Sequence, residues 1–230
     1  LMDEVQSSGG MLSVFADAQT ALAVVEKHSL PLVIAAFNGP THVVFSGDLE
    51  AIDRLASSLD QEGISSRKLQ VSQAFHSPLM QPMVETFFSA AQLIQYSKPT
   101  IPIISNVTHE PIGDALASAE YWCQHILEPV HFSQSIQALF DQGLSIFVEI
   151  GPKPTLLNLA QSGLLQDQSV SSAAGEFLWL PSLHPRRSDS VQLLESLAQL
   201  HCRGVWVDWE AFDRPYQRCR TLLPTYPWQH

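Results

Sequence analysis

Nine histidines are the side chains of this 230-residue sequence best suited to take up and return a proton near neutral pH. Other chemistry lacks its usual frame: the sequence contains no G-x-S-x-G turn, no phosphate-cradling G-x-x-x-x-G-K, no H-E-x-x-H and no G-x-G-x-x-G. His28, His42, His109, His131, His184, His201 and His230 fall in polar turns, on surface helix positions or in the tail, where a solvated imidazole needs no further role. His76 differs, because it follows the apolar pair Ala74-Phe75 and precedes Ser77-Pro78-Leu79-Met80, where a strand pattern gives way to a helix. A ring at such a junction can point into a crevice and act as a general base, although it can equally cap the helix. Two further segments read both ways. Ser105-Asn106-Val107-Thr108 closes a strand pattern, where ligands bind in α/β sheets and where asparagine also makes turns. Gly151-Pro152-Lys153-Pro154 could line a site or simply join a strand to a helix.

The elements that must position His76 follow from periodicity. Residues 10–72 alternate strand and helix: a strand at Met11–Phe15, a helix at Ala18–Lys27, strands at Leu32–Phe37 and His42–Phe45 across the turn Asn38-Gly39-Pro40-Thr41, a helix and a strand at Arg67–Val71. The second helix carries Leu49, Ile52, Leu55, Ala56 and Leu59 on one stripe, with Asp48 at its start and Gly63 at its stop. The resulting β-α-β-β-α-β order predicts a ferredoxin-like unit. Residues 73–180 continue with helix at 77–94, a buried strand at 99–107, helices at 120–127 and 133–142, a strand at 145–150 and a helix from Thr155. They read as the edge of a larger α/β core, followed by a loop at 166–176. Residues 181–230 change in composition, holding six of the basic residues and much of the aromatic content. One amphipathic helix there sets Val191, Leu194, Ala198 and His201 on one face.

Composition narrows the classes. With 45% hydrophobic and 15% charged residues the chain is a globular protein, and a formal charge of -11 argues against nucleic acid as a partner. No apolar run approaches the roughly 20 residues of a membrane-spanning helix. Three widely spaced cysteines without a metal-binding pattern fit a reducing cytoplasm. The opening Leu1-Met2-Asp3-Glu4 is unlike a natural start and suggests a piece of a longer chain.

Several segments together carry a resemblance. Ala36-Phe37-Asn38-Gly39-Pro40, Ala74-Phe75-His76-Ser77-Pro78-Leu79-Met80, Ser105-Asn106-Val107-Thr108, Tyr121-Trp122 with His125 and Pro129-Val130-His131-Phe132, and Phe147-Val148-Glu149-Ile150-Gly151-Pro152 occur in the order and spacing of polyketide synthase acyltransferase domains. The tail Leu223-Pro224-Thr225-Tyr226-Pro227-Trp228-Gln229 resembles the linker that follows that domain in modular type I synthases. The resemblance covers essentially the whole chain and the later part of the family's domain. It implies a ferredoxin-like subdomain inserted in an α/β hydrolase-like core, incomplete here.

The implied activity is transfer of a malonyl or methylmalonyl group from coenzyme A to a serine, then to the phosphopantetheine thiol of an acyl carrier protein. No bound cofactor is implied: acyl-CoA is substrate, and phosphopantetheine belongs to the carrier. By the same resemblance His76 takes the serine proton, and the backbone carbonyl of His125 orients its ring. Gln73-Ala74-Phe75-His76 occupies the extender-selecting motif, and Asn106 lines the substrate site. Phe75 favours malonyl because its bulk crowds the space of an α-methyl group, while Gln73 departs from the family's usual histidine. The serine elbow, the carboxylate-binding arginine and the oxyanion glutamine are expected upstream of Leu1, so residues 1–230 alone are expected to be inactive. The linker would face a ketosynthase of the same polypeptide. The alternative is a non-catalytic docking or scaffold remnant that packs on a ketosynthase or recruits a trans-acting acyltransferase.

Overall fold

The computed structural model describes residues 8–166, 177–216, 222 and 224. They form two compact units, one of residues up to Glu149 with Pro154–Leu180, the other of Ile150–Lys153 with residues from Pro181 onward. Of the loop expected at 166–176, Gln166 ends a helix and the rest, like the end of the tail, lies outside the described residues.

The first unit begins with strand β1 (Gly9–Val14), helix α1 (Ala18–Lys27), strands β2 (Leu32–Gly39) and β3 (His42–Asp48), helix α2 (Leu49–Gln61) and strand β4 (Ser66–Lys68). The strands lie in the order β2-β3-β1-β4 and every pairing is antiparallel. Alternation along β1 and β3 sends Leu12, Val14, Val43 and Phe45 to one face, where α1 and α2 cover them with Val24, Ile52, Leu55 and Leu59. Both helices start at an aspartate: Asp17 accepts from the Thr20 N–H and Asp48 from the Glu50 N–H, each at 2.9 Å. Gly63, at φ +73°, ends the α2 turn in the left-handed region.

The opposite face carries a smaller cluster of Met11, Ala35 and Val44, against which Leu69 and Phe75 pack. Gly9 makes this possible: a Cβ there would stand 2.3 Å from the Ala74 nitrogen. The segment bearing His76 is thereby laid directly on the start of β1.

The chain continues through a 3-10 turn at Pro78–Met80 into α3 (Gln81–Ala91), then β5 (Ile103–Ile104), β6 (Pro111–Ile112), α4 (Ala119–Leu127), α5 (Phe132–Asp141), β7 (Ile146–Glu149), α6 (Thr155–Gln166) and β8 (Leu178–Pro181). Strand β8, absent from the sequence reading, joins β7 in a two-stranded sheet. There Trp179 stacks on Phe147 at 4.9 Å and Phe140 meets Phe177 at 4.8 Å.

The long buried strand expected at 99–107 is not formed. Only Ile103–Ile104 is strand, paired with Pro111–Ile112, and Ile101 is 74% exposed. Pro99 and Pro102 remove two N–H donors from that run, and among the described residues no strand but β6 lies beside it. The strand expected to run to Val71 likewise stops at Lys68.

In the second unit, α7 (Asp189–Cys202) buries Gln192 and Ser196, not the apolar stripe, and Val191 and Leu194 are exposed. Polar anchoring explains this. Ser196 and Gln192 both donate to the Pro181 carbonyl, at 2.8 and 3.3 Å, and Arg187 bonds Gln192 and Glu195. A short helix, α8 (Trp209–Asp213), follows. No helix of the described residues is long and apolar enough to cross a membrane.

Candidate active site

His76 sits where the polypeptide leaves the sheet, with φ at +56°, a conformation rare for a residue with a side chain. The surroundings fix it on both sides. Phe75 packs on the sheet cluster, and buried Ser77 donates to the Ala74 carbonyl at 2.6 Å while accepting from the Leu79 N–H. With its neighbours pinned, the strained turn aims the imidazole across to the end of α4.

Helix ends leave their last carbonyls without intrahelical donors. Here Pro129 sharpens the effect: it has no N–H to offer the carbonyl of His125, four residues earlier. The Nδ1 of His76 lies 3.0 Å from the carbonyl oxygen of Glu128, the residue capping this helix. A carbonyl only accepts, so Nδ1 carries the hydrogen and the neutral ring keeps its lone pair on Nε2. The sequence reading assigned this role to the carbonyl of His125. The hydrogen bond goes instead to Glu128, three residues on, and the His125 carbonyl adds a weaker interaction of the same sign.

Burial pushes His76 below the ordinary histidine range, the Glu128 carbonyl opposes that, and the neighbouring His125 reinforces it. The His125 ring stands edge-on to His76 with centroids 6.1 Å apart. A cavity of about 290 Å³ opens beside His76, walled by Val33, Ile34, Pro78, Glu128 and Pro129 among others. A neutral base with a fixed tautomer beside an open cavity can accept a proton from a nucleophile delivered there.

The other residues singled out divide. Gln73 is buried within the same segment, next to Gly9. Phe75 shares that segment but faces the sheet cluster and is not among the walls of the His76 cavity. Asn106 lies a step away: its carbonyl accepts the His131 N–H at 2.7 Å, and Val130 is tied to β2 by two backbone hydrogen bonds, from Phe37 N–H and to the Ala35 carbonyl. His131, read from the sequence as a solvated imidazole, instead stacks on Phe37 with centroids 5.2 Å apart. Glu149 turns out to be a helix cap, its carboxylate accepting from the backbone N–H groups of Thr155, Leu156 and Leu157. Glu128 is the residue that sequence reasoning missed, since the proline after it frees the carbonyl of His125 and not that of Glu128. Among the described residues no three His, Cys, Asp or Glu side chains converge as a metal-binding set.

The model of the acyl transferase domain family matches residues 1–207. Polyketide synthase GfsA of Streptomyces halstedii is 36% identical over the whole chain, and the hybrid synthetase ATPKS of Aspergillus niger is 37% identical. The chain spans only 3% and 13% of these relatives' lengths. The acyltransferase domain from the second module of the salinomycin polyketide synthase superimposes with a TM-score of 0.83 at 37% identity, over 99% of this chain and 52% of that one. That of SpnD, solved as a complex with 2-(pent-4-yn-1-yl)malonyl, gives 0.77 at 30% identity, over 87% and 48% of the two chains. This chain therefore belongs to the acyltransferase domains of modular type I polyketide synthases.

Proposed function

We propose that this chain is the histidine-bearing part of an acyltransferase domain that moves a malonyl-type extender from coenzyme A to an acyl carrier protein. The β-α-β-β-α-β unit is its ferredoxin-like subdomain, and residues 73–180 belong to an α/β hydrolase-like core that works with a nucleophilic serine elbow. The cytoplasm is the compartment, and the linker after residue 180 serves the ketosynthase of the same polypeptide.

In the first half-reaction the serine oxygen attacks the thioester carbonyl while its proton passes to Nε2 of His76. Collapse of the tetrahedral intermediate expels the thiolate of coenzyme A, which takes that proton back. The carrier's phosphopantetheine thiol then repeats the sequence on the serine ester. Phe75 narrows extender choice toward malonyl, and Gln73 and Asn106 shape the same region. The observation carrying this reading is the hydrogen bond from His76 Nδ1 to a helix-terminal carbonyl, which leaves Nε2 free as the base.

The test is mass-spectrometric acyl loading of the domain containing this chain and its serine elbow, with malonyl-CoA and methylmalonyl-CoA in competition. Malonyl adduct should dominate, and His76→Ala should slow its formation by about 10³-fold. One observation favours the scaffold alternative: Val191, Leu194 and Trp206, the last 81% exposed, offer apolar surface suited to docking. A folded domain that takes up neither acyl group would decide for that reading.

A further inference from the structure

A second cavity, of about 560 Å³, lies at the tip of the β2-β3 hairpin. Thr41, His42 and Arg67 wall it from the sheet, and Thr155, Asn158 and Ser162, spaced to share one helix face, wall it from α6. Its lining includes no carboxylate, in a chain whose acids outnumber its lysines and arginines 23 to 12. Arg67 takes part in none of the ion pairs among the described residues, whereas its neighbour Lys68 is held by Asp53.

The sheet builds this cationic corner. Arg67 stands opposite Ser13 in the β1-β4 ladder, and Ser13 Oγ lies 2.7 Å from Nε2 of His42. Phe15 stacks on the same ring at 4.8 Å. Ser13 Oγ and His42 Nε2 share one hydrogen, and in the tautomer in which Ser13 donates, Nδ1 carries the ring hydrogen and can donate outward. A guanidinium fork, an imidazole N–H and the side chains of Thr155 and Asn158 together match the oxygens of a phosphate.

Distance supplies an independent argument. Ile34 walls the His76 cavity and Asn38 walls this one, four residues apart on β2, so the nearest walls of the two cavities stand about 13 Å apart, with Arg67 farther off on β4. From phosphorus to sulfur a phosphopantetheine arm has the chain bonds of about four peptide residues, about 14 Å when extended. We infer that this cavity holds the phosphate of a phosphopantetheine thioester, with Arg67 as its charge partner and His42, Thr155 and Asn158 around it, while the thioester reaches His76. The inference rests on the acyltransferase reading and adds to it where the far end of the substrate is held.

The phosphate could arrive on coenzyme A or on a carrier protein, and the test separates the two. Calorimetric binding to this chain is measured for 4′-phosphopantetheine against pantetheine, coenzyme A, and the holo against the apo form of the parent synthase's carrier protein. The wild type should prefer phosphopantetheine over pantetheine about tenfold, and Arg67→Ala should erase that preference while Arg67→Lys keeps part of it. Sensitivity of coenzyme A alone to Arg67→Ala assigns the site to the donor. An equal loss in the holo-carrier increment assigns it to both substrates. Equal binding of pantetheine and phosphopantetheine, or a preference that survives Arg67→Ala, overturns the site. In the loading assay on the serine-containing domain, Arg67→Ala should raise KM for malonyl-CoA about tenfold with kcat unchanged. A wild-type domain that never loads would instead sink the acyltransferase reading itself.

Discussion

The two faces of the four-stranded sheet are built from alternate residues of the same strands, yet they are unlike. Toward α1 and α2 the sheet presents Leu12, Val14, Val43 and Phe45, all at most 1% exposed, with the polar Ser66 and Lys68 of that face confined to the edge strand β4. The other face has only Met11, Ala35 and Val44 as its buried apolar residues, together with Ser13, His42 and the segment leading to His76. One face spends its side chains on burial, where roughly 25 cal/mol per Å² accrues without regard to geometry. The other holds fewer apolar groups and sets strained or hydrogen-bonded polar ones against two cavities. Stability and chemistry are thus separated by the period of a β-strand.

The largest effect should come from the helix-covered face. Phe45 is fully buried, so Phe45→Ala should cost about 3–5 kcal/mol in urea unfolding. The separation of roles fails if that variant stays as stable as the wild type. Next comes the opposite face: Phe75→Ser, in the serine-containing domain, should leave the fold and raise use of methylmalonyl-CoA relative to malonyl-CoA about tenfold, the weight of one methyl group in an apolar pocket. An unchanged extender ratio would show that Phe75 serves the sheet cluster alone.

The helix-covered face was legible because its signals are local. Alternation, the Asp48 cap and Gly63 agree with the structure, since each depends on residues a few positions apart. The failures occur where neighbours distant in sequence decide. Apolar residues at 99–107 describe a strand, but two prolines and the lack of flanking strands among the described residues leave only Ile103–Ile104 paired. On α7 the sequence shows an apolar stripe, while the carbonyl of Pro181 captures Ser196 and Gln192 and turns the helix the other way. At the site, His76 stood out as a junction residue, but its partner belongs to a helix end 52 positions away and is a backbone atom, which side-chain patterns do not encode.

The pH dependence of loading should follow the lowered pKa of His76. A base must be neutral, so the rate falls about tenfold per pH unit once the ring is mostly protonated, and burial places that inflection below the ordinary histidine value of 6.5. The same sign holds for folding: a depressed histidine contributes stability that is complete above 6.5 and lost as pH falls through the folded value. Rate profiles with an inflection above 6.5 would contradict a buried base.

The smallest effect sharpens the comparison most selectively. Asp48 ends β3 and caps α2, its carboxylate accepting the Glu50 N–H, while the next N–H, of Leu49, is taken by the Ser8 carbonyl. Removing the carboxylate leaves one orphan donor at the helix start and touches neither cavity. Asp48→Ala should therefore lower stability by about 1 kcal/mol, and Asp48→Asn, which keeps an acceptor oxygen, should restore most of it. Loading kinetics should be unchanged in both at temperatures where the domain is folded. A loading defect in Asp48→Ala that Asp48→Asn repairs would mean that α2 transmits its ends to the opposite face, and that the sheet does not insulate one role from the other.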